Sequence, residues 1–508
     1  MLHALNVAVC PMALVAFTLL AITACDKPDA PKSPASSRTE KAATKPKVKK
    51  RTVAVTEGKP VKQSVPATKP APPPRQGTFE NLLAQAEATN ETPIDPLRFT
   101  PVEVNEAMCQ ARGIRKLTGK HLTLYTDVAA APAVDELPQV FDLALPQWLD
   151  YFGIDAERAT KWHVVGVLAK EKERFFGTGL WPDDLPPFLH GYMRDNNVWL
   201  YEQPSDFYRR HLLLHEGTHG FMWAFLGGLG APWYTEGMAE LLGTHRWEEG
   251  KLTLNVIPPS KESSPLWGRV KVLRDHYSAN KAFSLPAVMK IEHRAFQETD
   301  PYAWCWGAAV FFDHDPHYQK AFREATGSVT DVSSSFSERL LNRLPQPLEQ
   351  VGEQWQCFVA NMDYGYDVAR ESIVRQADVV ALENEAKLAV AADRGWQSSG
   401  YALQAGTTYA IEATGSFQIG ESTKPWISEA DGITIKYYRG HPIGMLLAAV
   451  TNEGKSGGAT PLLTPLAIGG QGKITPTSDG VLYFRLNDAP NSLADNAGEL
   501  SVQVTTVD

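Results

Sequence analysis

His211-Leu-Leu-Leu-His215-Glu216-Gly-Thr-His219-Gly-Phe-Met-Trp223 decides how this chain is read. His215 and His219 are four apart, so on an α-helix their imidazoles leave one face and can hold one cation together. Neutral imidazole suits zinc. Glu216, beside the first histidine, is placed to take a proton from water that the metal acidifies to a pKa of about 7. Working outward, Pro204-Ser205 offers a helix N-cap and Gly227-Gly228 a stop. Gly191 to Tyr201 reads as two short strand pieces around an Asp-Asn-Asn turn. Gly217 and Gly220 each weaken the helix by up to about 1 kcal/mol. Close packing against a strand or substrate is the reason expected for them. Downstream, Pro232-Trp-Tyr-Thr-Glu236-Gly-Met-Ala-Glu240-Leu-Leu242 begins a second, shorter helix with an acid near its start.

Two histidines around a glutamate also arise by chance on a buried helix, so a third ligand has to decide. His-Glu-x-x-His followed by an aromatic-x-x-Glu-Gly-x-Ala-Glu helix resembles the gluzincin metallopeptidases. The resemblance implies His215, His219 and Glu236 as zinc ligands and Glu216 as general base. It also implies Glu240, one turn on, as an acid that orients a ligand histidine; a solvated helix face is the plain alternative. Sixteen residues separate His219 from Glu236, a spacing slightly tighter than in aminopeptidase-type members, and Gly227 to Gly230 supplies the turn. The family's architecture implies an α+β zincin-like domain with a sheet edge over the cleft. Asn197 to Tyr201 is the candidate edge, to which a peptide adds as an extra strand. Gluzincins place a tyrosine or histidine from a later region against the oxyanion. Tyr302, opening the aromatic helix Tyr302 to Phe312, is the nearest by position, with a plain core tyrosine as the alternative. His314 and His317 read as a polar loop rather than a further metal site.

A chain of 508 residues has material for more than one domain, and its net charge of -9 gives no reason to expect a nucleic-acid partner. Residues 1–25 resemble a bacterial lipoprotein signal: Val7 to Ala24 is apolar, and small residues precede Cys25, which would be the lipidated mature N-terminus. The start lacks the usual lysine or arginine, and an uncleaved anchor is the alternative; both export the rest. The expected place is the bacterial cell envelope, lipid-anchored and facing periplasm or exterior. Residues 26–77, rich in Pro, Lys and Ala, read as an extended tether. Cys109, Cys305 and Cys357 allow at most one internal disulfide. Residues 78–375 form the expected catalytic domain: a helix from Thr78, strands at His121 to Thr126 and Trp162 to Leu168, helical spacing over Val134 to Tyr151, and mainly helix after Leu242. Residues 376–392 read as a connecting helix or linker.

Over residues 393–508 the pattern becomes short alternating strands with Gly-rich breaks, an all-β sandwich. Asn487 to Val502 is similar to the calcium loop of the bacterial galactophilic (PA-I-like) lectins. That similarity implies Asp488, Ser492, Asp495 and Asn496 as oxygen ligands for Ca2+, with a carbonyl from Ile419. Trp426 to Gly440 lacks those lectins' sugar contacts, so galactose specificity is not implied. A stabilising module with a purely structural loop is the alternative to a carbohydrate binder. The combined expectation is an exported, membrane-anchored zinc peptidase acting on protein or peptide, with a module for calcium and envelope carbohydrate. The rival is a non-catalytic binding lipoprotein on a zincin scaffold, against which an intact Glu216 speaks.

Overall fold

Alternation at Leu122-Thr-Leu-Tyr-Thr126 and the apolar run Val164 to Ala169 both end as strands of one mixed sheet. The structure, a computed structural model, describes residues 102–455 and 457–507. Cys25, the signal, the tether and the helix expected from Thr78 lie outside the described residues. After a short helix α1 (Glu106–Ala111), the sheet contains β1 (Arg115–Thr118), β2 (Leu122–Thr126), β3 (Val164–Ala169), β4 (Gly191–Arg194) and β5 (Asn197–Tyr201). Its order is β1-β2-β3-β5-β4, with β2, β3 and β5 parallel and β1 and β4 antiparallel at the edges. Asn197–Tyr201 is therefore an inner strand, and the edge is β4. The hairpin through Asp195, held at φ 58°, folds the chain back and puts Gly191–Arg194 outermost.

Leu122, Leu124, Val164, Val198 and Leu200 turn to the helical side and form one core with α2 (Leu137–Phe152) and α3 (Asp206–Leu226). Pro146 sits inside α2. The opposite sheet face, with Tyr125, Val167 and Trp199, packs on Phe175 and Leu180. The helix α3 is the one expected. Ser205 caps it, its hydroxyl accepting from the Tyr208 N–H at 3.2 Å, and Gly227 ends it at φ 74°. Gly217 permits close approach of a helix rather than a strand or substrate: a Cβ there would lie 2.8 Å from ring atoms of Phe141 and Trp148 on α2. Then come α4 (Pro232–Gly243), a hairpin β6 (His245–Glu248) and β7 (Lys251–Leu254), α5 (Arg269–Ser278), α6 (Asp300–His314) and α7 (Leu348–Asn361). The hairpin interrupts what the sequence suggested as helix. Cys109, Cys305 and Cys357 are all buried and unpaired.

The C-terminal region is all β. Its strands are β8 (Val380–Ala381), β9 (Glu385–Ala391), β10 (Gln397–Leu403), β11 (Thr408–Thr414), β12 (Phe417–Glu421) and β13 (Pro425–Ser428). They continue with β14 (Asp431–Tyr438), β15 (His441–Thr451), β16 (Leu466–Ala467), β17 (Gln471–Ile474), β18 (Gly480–Leu486) and β19 (Glu499–Val507). One sheet runs β14-β15-β18-β10-β8 with β16 beside β15, another β17-β11-β19-β9, and β12 pairs with β13. Residues 376–392, expected as a connecting helix or linker, supply β8 and β9, because Glu385-Ala-Lys-Leu-Ala-Val-Ala391 alternates and pairs along β19. The helical region and the sandwich share a cluster in which Cys357 of α7 meets Ile373, Trp396, Leu447 and Tyr483. Buried ions cross the same junction. Arg375 pairs with Glu353 at 2.9 Å and Glu453 at 3.5 Å, and Arg485 with Glu371 at 2.9 Å. The Thr451 and Thr460 hydroxyls donate to Glu353 at 2.5 and 2.8 Å. No helix among the described residues is long and apolar enough to cross a membrane.

Candidate active site

The spacing of four along α3 places His215 and His219 on one face, their Nε2 atoms 3.2 Å apart. The chain turns at Gly227 to Gly230, and Pro232, already fixed near helical φ, starts α4. Gly237 lets α4 lie close against α6, where a Cβ would sit 2.9 Å from the Cys305 carbonyl oxygen. This brings Glu236 to the histidines: its Oε2 is 3.2 Å from His215 Nε2 and 3.7 Å from His219 Nε2. Ligands held about 2.0–2.1 Å from a tetrahedral zinc stand roughly 3.3–3.4 Å apart, so the three donors surround a point of the right size. Glu236 Oε2 is buried with no hydrogen-bond partner, as expected of an atom reserved for a cation. Burial pushes the Glu236 carboxyl up, but the two histidines outweigh it and hold the pKa at about 2. Burial likewise opposes charge on His215, yet Glu236 and Glu240 raise its pKa well above the imidazole range.

Glu240, one turn after Glu236, lies inside the protein rather than on a solvated face. Its Oε1 is 3.4 Å from His215 Nδ1, the nitrogen left over when Nε2 faces the cation, and its Oε2 is 3.4 Å from His211 Nε2. Arg269 of α5 grips the same carboxylate with two bonds of 2.8 and 2.9 Å. Burial would raise the Glu240 pKa, but Arg269 and then His211 keep it well below the usual range. The fixed carboxylate orients the His215 ring. Glu216 follows His215 on α3 and is buried. Burial lifts its carboxyl above the ordinary range against the pull of His215 and His219. Gly191 of the edge strand lies directly over it, with a hypothetical Cβ only 2.4 Å from Glu216 Oε1. Tyr302, in the first turn of α6, has its ring 6.0 Å from that of His215, and burial followed by Glu236 and Glu216 raises its phenol pKa. Thus His215, His219, Glu236, Glu240 and Tyr302 are gathered around the face of α3 that also carries Glu216.

Sequence reading passed over His211 and Arg269. His211 carried a signal, since it lies four residues before His215 on the same face. Arg269, 29 residues beyond Glu240, carried none. Among the described residues His314 and His317 join no metal-ligating group: His314 Nε2 meets Asn255 Oδ1 at 2.7 Å, and His317 Nδ1 meets Asp315 at 2.9 Å. Of the residues named for calcium, Asp488 and Asn496 come together at 3.2 Å, and the buried Asn496 Oδ1 has no partner. Burial lifts the Asp488 pKa to about 6. Asp495 turns to the Glu421 N–H at 3.0 Å, close to Gly420, and Ser492 lies 3.4 Å from Asn491. Ile419 is buried in β12.

No family model and no curated protein matches this chain. Among solved structures it is similar to the N-terminal domain of EclA, a PllA-like lectin, at 23% identity over 25% of this chain and 100% of that one, with a TM-score of 0.20. It is also similar to IMPa metallopeptidase in complex with T-antigen, at 10% identity over 77% of this chain and 42% of that one, with a TM-score of 0.15. IMPa metallopeptidase from Pseudomonas aeruginosa gives 10% identity, 84% and 45% coverage and a TM-score of 0.14. The chain thus spans less than half the length of the IMPa chains. At these TM-scores neither likeness assigns it a fold or a family.

Proposed function

We propose that this chain is a zinc-dependent metallopeptidase of the gluzincin type, with His215, His219 and Glu236 holding the metal. The observation that carries this reading is the trio of donor atoms at 3.2, 3.2 and 3.7 Å, with the buried carboxylate of Glu216 on the adjoining position of the same helix. When bound, zinc supplies a Lewis acid that acidifies water and polarises a carbonyl. Glu216 takes a proton from water as the water oxygen attacks the scissile carbonyl carbon. It then delivers that proton to the amine nitrogen as the C–N bond breaks. Its burial serves the first step, because a raised pKa makes the carboxylate a better proton acceptor, and the basic leaving amine drives the return of the proton in the second. Arg269 and Glu240 hold the His215 ring, and the Tyr302 hydroxyl, kept protonated by burial, is available as a donor to the developing oxyanion. An extended peptide adds to the open edge of β4, where the missing side chain of Gly191 lets its backbone approach Glu216.

The sandwich is proposed to hold Ca2+ at the loop carrying Asp488, Ser492, Asp495 and Asn496, supported by the buried Asp488 carboxylate, which accepts from the Asn496 amide nitrogen at 3.2 Å, and by the Asn496 Oδ1, which has no partner. Its carbohydrate role and the lipid anchor at Cys25 are proposals from sequence. The experiment for the peptidase reading is metal analysis coupled to a peptide-library cleavage assay. The expected result is about one zinc per chain, cleavage by the parent and loss of cleavage with retained zinc in Glu216→Gln. Equal cleavage by that variant refutes the reading.

A further inference from the structure

We infer that the ring cluster on the outer side of β4 selects substrate, requiring a bulky apolar side chain at the residue that pairs opposite Tyr192. This rests on the peptidase reading above and names part of its substrate class. Successive residues of β4 point to opposite faces. Gly191 faces Glu216 and Met193 packs in the core of α3, whereas Tyr192 belongs to the cluster on the other side. There the Tyr192 ring stacks on Phe188 (5.9 Å, 20°), and Phe188 stacks on Tyr201 (5.0 Å, 30°) and Trp181 (5.8 Å, 26°). Phe176 adjoins Trp181 at 6.4 Å and is 42% exposed.

These rings stop at an open strand edge with their outer surface half-buried, and Leu189, two residues before the start of β4, is 66% exposed. The cluster adjoins the general base along the strand, since Tyr192 directly follows the glycine that covers Glu216 and faces the other side of the sheet. A peptide strand added to β4 places directly opposed side chains about 4.5–5.5 Å apart. Its residues therefore alternate between the Glu216 side and the Tyr192 side. A Phe, Tyr, Trp or Leu on the Tyr192 side covers Tyr192 and Phe188. A charged side chain there would be desolvated against rings without a partner. The next outward position on β4, Arg194, is engaged by Asp184 at 3.1 Å, so the nearest cation is already paired.

The test is a positional-scanning peptide library cleaved by the full zinc-loaded chain and sequenced by mass spectrometry. At one position within two residues of the cut, Phe or Leu should raise kcat/KM about tenfold over Ala or Asp. Tyr192→Ala should flatten that preference. Tyr192→Arg should turn it toward Asp and Glu at the same position, a gain that misfolding cannot produce. Cleavage by the parent with no apolar preference near the cut, or a preference unchanged in both variants, overturns the inference and leaves the peptidase reading standing. No cleavage by the parent, or cleavage undiminished in Glu216→Gln, removes the peptidase reading and this inference with it.

Discussion

Gly191→Ala isolates the contact between the edge strand and the general base. Gly191 does not occupy the left-handed region, so alanine adds a side chain without backbone strain. Its Cβ would stand 2.4 Å from Glu216 Oε1 and 2.9 Å from Cγ, where ordinary van der Waals contact begins at 3.4 Å. The carboxylate must therefore move by about 1 Å, a displacement that costs about 10²-fold in rate when it misplaces a reacting group. Glu216 is not a metal ligand, so zinc content should stay at the parent's value while kcat falls by about that factor. The assay is steady-state kinetics on a cleaved peptide with metal analysis and a melting curve on the same preparation. Gly352→Ala, in α7 with nothing within 4 Å, serves as the control and should leave kcat unchanged. A Gly191→Ala protein with normal zinc and a kcat within about twofold of the parent would refute the placement of Glu216 beneath β4.

Four further outcomes are expected. Glu236→Gln removes the third ligand and should lower zinc occupancy on dialysis against a weak chelator, whereas parent occupancy in the variant would exclude Glu236 as a ligand. Arg269→Met leaves the buried Glu240 uncompensated and should cost about 3–5 kcal/mol in denaturant unfolding. It should also weaken zinc by about 10–100-fold through the loosened His215, in a competition titration. Arg375→Met strands Glu353 at the junction of the helical region and the sandwich, and a similar loss of about 3–5 kcal/mol should show as one lowered transition. Millimolar calcium should raise the melting temperature of the full chain, and Asp488→Asn should abolish the rise; no response in the parent removes the proposed calcium site.

The approach of His215, His219 and Glu236 was legible because its spacing is local: four residues on a helix determine a face, and a proline-started second helix returns a glutamate to it. Caps at Ser205 and Gly227 were legible for the same reason. The order of strands was not. Asn197–Tyr201 and Gly191–Arg194 are both short and apolar, and which one is the edge depends on β3 pairing with β5, a non-local choice. The strand at Glu385–Ala391 was hidden because Ala, Lys and Glu favour helix, and only pairing with β19 overrides that preference. Gly217 signalled a close approach, but its partner, an aromatic pair on α2, lies some seventy residues upstream. Arg269 was invisible because a buried guanidinium is recognised by the carboxylate it meets.

The junction between the helical region and the sandwich has a consequence for avidity. Tandem modules joined by flexible chain meet a shared target at an effective concentration set by linker length. Here Trp396 and Tyr483 of the sandwich are packed with Cys357 of α7, and Arg375 and Arg485 neutralise buried acids on the helical side. Any group held by the sandwich is therefore carried at a fixed bearing from the His215, His219 and Glu236 cluster, and the orientational entropy of lining up the two has been spent during folding. A target bearing both features must present them at one separation, which makes the assembly a calliper rather than a pair of hands.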